Sequence, residues 1–172
     1  MTIGRKIADA RKRTGHSQRS LSEMEEVAVS KESIAKYEKG TRTFPKDMYP
    51  RVAGALDDPQ FYFETWQETT GYVSIPYFNG AVIDRHPAAM VHLVKSETVE
   101  AIDQVEMVCW YKPSENRTEH EKEDVRQVIK ELLDAAASMI NLAAELCKDN
   151  GFSMKSLFRE WRVSLKARKY ER

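Results

Sequence analysis

Ser17 and Ser30 each stand immediately before a short stretch whose apolar residues recur at helical spacing, and this pairing constrains the chain more than any other feature. A serine hydroxyl placed there accepts from an orphaned backbone N–H of the first turn, so each serine marks a helix start. The first stretch turns Leu21 and Met24 inward. The second turns Ile34 and Tyr37 inward and closes at Lys39-Gly40, where glycine admits a left-handed stop. Lys31, Glu32, Ser33, Lys36 and Lys39 then fall on the polar side of the second stretch. The pattern predicts two short helices joined by a turn, the second presenting a cationic edge.

The flanking residues complete a small bundle. Ile3, Ile7 and Ala10 share one helical face, with Arg5, Lys6, Lys12 and Arg13 outside, and Thr14-Gly15 ends that helix. Phe44-Pro45 leads into a fourth short helix with Met48, Val52, Ala53 and Leu56 inward, and Asp57-Asp58-Pro59 reads as a boundary. A head of four or five helices is expected over residues 1–57. It carries twelve lysines and arginines against seven acids up to Leu56, a net of +5, whereas Asp57 to Lys112 holds three against nine, a net of −6. A basic head on an acidic middle points to different partners for the two parts.

Residues 58–172 are expected to form a second helical domain with long helices, making the chain all-α. Gln60–Thr69 reads as a short aromatic helix whose rings are either a small core or a docking surface. Residues 70–85 read as a loop with a short extended piece at Tyr72–Ile75, and a long helix runs from Pro87 to Trp110 with Met90, Val94, Ala101, Val105 and Val108 along one side. Thr118 and Glu121 form a capping box ahead of the next helix. Its residues Val125, Ile129, Leu132, Ala136, Met139, Ala143 and Leu146 make a heptad stripe, which serves as internal core or as a seam between two copies. Asn150-Gly151 stops it. Ser153 caps a last helix, with Phe152 and Leu157 as a hydrophobic staple, Met154, Leu157, Phe158, Trp161 and Leu165 inward, and Lys155, Arg159, Arg162 and Lys166 as an ordinary wet face in preference to a source of nonspecific phosphate affinity.

Ile3-Gly4 with Ala10-Arg11-Lys12, Ser17-Gln18 with Leu21, Val29-Ser30 with Ile34, Tyr37-Glu38, Gly40 and finally Leu56 form one combination over about the first third of the chain. In this combination the chain resembles the phage-repressor and Cro-like helix-turn-helix family, often called the Xre family. The resemblance implies a lambda-repressor-like bundle and a transcriptional regulator, a repressor in preference to an activator, that binds operator DNA as a homodimer. It places the reading helix from Ser30 onward in the major groove. Lys31 and Lys36 would donate to guanine edges or phosphate, Glu32 would accept from cytosine or merely stabilise its helix start, and Ser30 and Ser33 lie beside them. Gln18 would meet a phosphate or an adenine edge, while Arg19, Lys39, Thr41, Arg42 and Thr43 would hold phosphates that set register. One departure stands out: from Leu21 to Ile34 the chain is two residues longer than the family allows, with Glu25-Glu26-Val27-Ala28 in the turn and no glycine. Either the second helix gains half a turn or the turn bulges.

Two rival functions remain in view. In one, the C-terminal helices bind a regulatory protein partner, as an antitoxin or antirepressor target does, with DNA binding serving autoregulation. In the other, the chain binds duplex DNA without sequence preference. Catalysis is not expected: His16, His86, His92 and His120 make no metal-ligand pair on a helix face, no glycine loop cradles a phosphate, and no carboxylate pair stands out by spacing. No metal or cofactor is expected. Cys109 and Cys147 stand far apart on apolar helical faces and read as reduced core residues of a cytoplasmic protein. The opening MTIGRKIADARKR is charged throughout and no apolar run spans a bilayer, so neither a signal peptide nor a membrane segment is expected.

Overall fold

A computed structural model describes residues 2–171. All regular structure among them is helical, and no helix is long and apolar enough to cross a membrane. The chain divides into two compact units, residues 1–77 with 147–172, and residues 78–146. That division differs from a single cut after residue 57, because the fifth helix and the C-terminal segment both join the head.

In the first unit α1 (Ile3–Arg13), α2 (Gln18–Ser22), α3 (Lys31–Glu38), α4 (Tyr49–Leu56) and α5 (Pro59–Thr70) surround one apolar core. Ile7, Ala10, Leu21, Ile34, Tyr37, Met48, Val52, Ala53 and Leu56 are buried there, as their spacing predicts. Tyr37 meets Phe44 edge-on at 5.1 Å between centroids, and Phe44 stacks on Tyr49 at 5.5 Å. Gly4 lets α1 and α3 touch: a Cβ there would sit 2.0 Å from the Tyr37 carbonyl oxygen. Phe61 and Phe63 of α5 are core, whereas Trp66 is exposed. Tyr72 is fully exposed, and no strand forms at Tyr72–Ile75. Backbone N–H groups there have no neighbouring strand to pair with.

The Asp57-Asp58 pair is a junction, not a boundary between domains. Asp57 adopts a left-handed conformation, φ 47°, and its Oδ1 accepts from Tyr62 Oη at 2.9 Å and from Lys155 N at 3.0 Å. Burial and that hydrogen bond push the Tyr62 phenol well above its ordinary pKa. Asp58 is buried and accepts from Arg13 Nε at 2.8 Å. α8 (Met154–Ala167) starts on this junction. Of its expected inward residues only Met154 is buried; Phe158 and Leu165 are half-buried, and Leu157 and Trp161 are exposed. Phe152 is exposed as well, so the expected staple does not close. Lys155, expected on the wet face, instead donates to Glu26 at 3.0 Å and to the Gly54 carbonyl at 3.3 Å.

The second unit is built on α6 (Pro87–Met107) and α7 (Glu119–Asn150), the latter about 48 Å long at 1.5 Å per residue. Glu121 closes the capping box by accepting from Thr118 N at 2.7 Å, and Lys112 binds the same carboxylate at 2.7 Å. Lys112 and the Thr118 donors hold the Glu121 carboxyl down at about 2. Asn141, buried in α7, accepts from Phe78 N at 2.8 Å, and Glu145 accepts from Arg85 Nε at 2.9 Å, so two polar anchors hold the preceding loop on the helix. The heptad stripe is not internal core. Ile129, Leu132, Ala136, Met139 and Leu146 are exposed, whereas Val128 and Ala135 beside the stripe and Ser138 and Asn141 farther round α7 are buried. Cys109 lies past the end of α6 and is exposed, contrary to the sequence expectation; Cys147 is buried.

Candidate nucleic-acid interface

α3 exists where the sequence puts it because Ser30 Oγ accepts from Ser33 N at 3.2 Å, satisfying one free N–H of the first turn. At the other end Gly40 takes φ 73°, which only glycine adopts without strain. The chain then folds back, and Thr41 N and Arg42 N both reach the Lys36 carbonyl, at 3.0 and 3.3 Å. Ile34 and Tyr37 bury the inner side.

The turn before α3 settles the length question. α2 stops at Ser22, and the extra residues bulge. Val27 drops into the core, 1% exposed, and Ala28 takes a left-handed φ of 48° to return the chain to Val29. The bulge also carries Glu26, the residue that Lys155 grips.

Glu38 fixes the orientation of α3. Its carboxylate accepts from Arg11 Nε at 2.7 Å and Arg11 Nη2 at 2.9 Å, a two-pronged pair, and from Gln18 Nε2 at 2.7 Å. Arg11 Nη1 also donates to the His16 carbonyl at 2.8 Å. One carboxylate thus ties α1, α2 and α3 together. The Glu38 hydrogen bonds raise the Arg11 pKa above its ordinary value against the opposing effect of burial.

Charge pairing leaves α3 positive. Lys6 is neutralised by Glu68 at 2.7 Å, Arg13 by Asp58 and Arg11 by Glu38. Lys31, Lys36 and Lys39 are exposed and have no carboxylate partner among the described residues. At 100° per residue Lys31, Glu32, Ala35, Lys36 and Lys39 fall on one outward arc of roughly 140°. Ala35 lies within this arc and escaped the sequence reading, although helical spacing alone would have found it.

The other expected site residues surround this arc. Ser30, Thr41 and Thr43 are exposed, and Ser33 is half-buried beside the cap. Thr41 Oγ1 donates to the Lys36 carbonyl at 3.2 Å. The Arg42 guanidinium lies over the Tyr37 ring at 5.3 Å, so its position is set by a cation–π contact. Arg19 is exposed and pairs with Glu23 at 2.8 Å. Gln18 is half-buried with its amide nitrogen on Glu38, which makes it a brace of the frame.

An open apolar groove of about 370 Å³ lies between α4 and α5, lined by Tyr49, Pro50, Ala53, Tyr62, Thr65, Trp66 and Thr69. In the second unit Glu97, Glu131 and Asp134 bring carboxylate oxygens within 4.8 Å of one another, a cluster contributed by two helices and therefore invisible to residue spacing. Burial first, then Glu100, Asp134 and Glu131, push the Glu97 carboxyl up. Comparison with known protein families, curated proteins and solved structures finds no match.

Proposed function

We propose that this chain is a sequence-specific DNA-binding regulator, a repressor of the phage-repressor and Cro-like kind that occupies operator duplex as a dimer. The observation that carries this reading is the outward arc of α3: three lysines without internal counterions, on a helix whose inner face is fixed by core packing and by Glu38. A helix of eight residues, about 12 Å long, fits the major groove end-on or along its floor. Lys31 and Lys36 donate to guanine O6/N7, Glu32 accepts from cytosine N4, and Ala35 offers an apolar contact to a thymine methyl. Lys39, Thr41, Thr43 and Arg42, at the far end of the helix, meet phosphates. Arg19 exchanges its exposed partner Glu23 for a phosphate, because such a surface pair is weak. Ser30 and Ser33 cap the reading helix, and Gln18 orients it through Glu38.

Selection of bound duplexes from a random pool by the full-length protein tests this directly. The expected product is a palindrome whose half-sites lie about one helical turn, roughly 10 base pairs, or a multiple of it apart. A pool that emerges without enrichment contradicts sequence-specific binding.

A further inference from the structure

We propose that the apolar side of the α6–α7 pair is the contact surface between two copies of this chain, closed as a four-helix bundle. This rests on the dimeric reading above and names its surface. Ile129, Leu132, Leu133 and Met139 of α7 are 53%, 49%, 56% and 43% exposed, and Val91 and Ile102 of α6 are 38% and 52% exposed. On α7 Ile129, Leu132, Ala136 and Met139 span an arc of roughly 80°, and on α6 Val91, Thr98, Ile102 and Val105 span roughly 60°.

These two arcs lie on the same side of the pair. The acids Glu97, Glu131 and Asp134 meet on one side. On α6 the buried Met90 and Ala101 separate Glu97 from Val91 and Ile102; on α7 the buried Val128 and Ala135 separate Glu131 from Leu132 and Ala136. Across these buried residues from the acids lie the two apolar arcs, with Lys95 and Glu106 at the outer edge of the one on α6. The combined area of the arcs is sufficient. Two helices about 10 Å wide over the roughly 31 Å of α6 offer on the order of 600 Å² per copy, and about 1,200 Å² in total reaches the range of specific interfaces.

Charge selects a second copy as the occupant. Beyond the apolar arc, the outer rim of α7 carries Lys122 and Arg126, one turn apart, while the outer rim of α6 carries Asp103 and Glu106 near its C-terminus. The start of α7 follows the end of α6 across a short connection. With the two-fold axis along the helices, the basic rim of each copy lies level with the acidic rim of the other, twice over. Lys122 and Arg126 hold only exposed pairs one turn back, with Glu119 and Glu123.

Sedimentation velocity on the full-length protein tests the proposal. The wild type sediments as a dimer at micromolar concentration, and Ile129→Glu with Leu132→Glu sediments as a monomer of unchanged helical content. As a surface control, Lys122→Glu with Arg126→Glu raises the dimer Kd about 10-fold or more, and adding Asp103→Lys with Glu106→Lys restores it. A wild type that stays monomeric at about 100 μM, a dimer that survives the two glutamates, or a charge swap that restores nothing overturns the proposal. A dimer that ignores DNA removes the operator reading and leaves this interface. A monomer that binds a half-site through α3 does the reverse.

Discussion

Arg11 and Glu38, twenty-seven residues apart, meet in a two-pronged ion pair of 2.7 and 2.9 Å whose side chains are only 11% and 7% exposed. The same carboxylate receives the Gln18 amide, so the angle of α3 to α1 and α2 is set by one acid. Removing it leaves Arg11 charged, nearly buried and unpaired. Glu38→Ala is therefore expected to cost about 3 kcal/mol in urea denaturation. The double variant Arg11→Met, Glu38→Leu recovers more than half of that, because two packed apolar groups need no counterion. A loss of about 0.5 kcal/mol or less, typical of an exposed pair, would show that the pair does not order the head.

Gly4 supplies a prediction whose sign opposes helix propensity. In an open helix Gly→Ala gains up to about 1 kcal/mol. Here the added Cβ would stand 2.0 Å from the Tyr37 carbonyl oxygen, a backbone atom that cannot step aside. Gly4→Ala is expected to destabilise by roughly 1–3 kcal/mol, the cost of overpacking, and to lower Tm. A stabilised Gly4→Ala protein would mean that α1 and α3 do not approach this closely.

Ala28 holds φ 48°, a conformation that costs a residue with a Cβ. Ala28→Gly is expected to stabilise by about 0.5–1 kcal/mol, even though it loosens the unfolded chain. Equal or lower stability in chemical denaturation would argue against a left-handed residue in the turn.

Glu97 gives the second unit a pH dependence opposite in sign to that of Glu121, whose carboxyl is held down. Burial and acidic neighbours raise the folded pKa of Glu97 above the ordinary 4.5. The fold therefore favours its protonated form, so its contribution is fully present below about pH 4.5 and is lost as pH rises through the raised value. Glu97→Gln is expected to stabilise at pH 7 by roughly 0.5 kcal/mol, the scale of a solvent-screened pair, and to make no difference at low pH. Melting curves across pH 4–8 check this, about four units being ample to cover the change. A gain that persists at low pH points to packing instead of charge.

Local chemistry was legible in the sequence, and long-range pairing was not. Ser17, Ser30 and Thr118 act within three residues of themselves, so residue type and spacing sufficed to place each cap. Periodicity placed most of the first unit's core on its helices, but not Val27, Phe44 and Tyr49, which come from the turns and the start of α4. The exposed arc of α3 was likewise visible, except for Ala35, which has no polar group to draw attention. Periodicity found the α7 stripe but cannot report which side of a helix has a neighbour; here the stripe stays exposed and the buried residues lie beside and beyond it. Asp57-Asp58 reads as a boundary because turn-forming acids are also good acceptors, and here they receive Tyr62, Lys155 and Arg13 from three helices. Glu38 stood out only as half of Tyr37-Glu38, since the partners that make it a hub lie twenty and twenty-seven residues away.

Competitive binding of the full-length protein to its selected duplex and to unrelated duplexes, with the Lys31→Ala, Lys36→Ala variant alongside, tests the reading helix most directly. The double variant is expected to keep its fold and to lose about 1–3 kcal/mol of discrimination for each base contact removed. Arg42→Ala, by contrast, weakens all sequences alike and reduces the salt slope by about one. Unchanged discrimination in the Lys31, Lys36 variant, or equal affinity of the wild type for every duplex, contradicts α3 as the element that reads DNA.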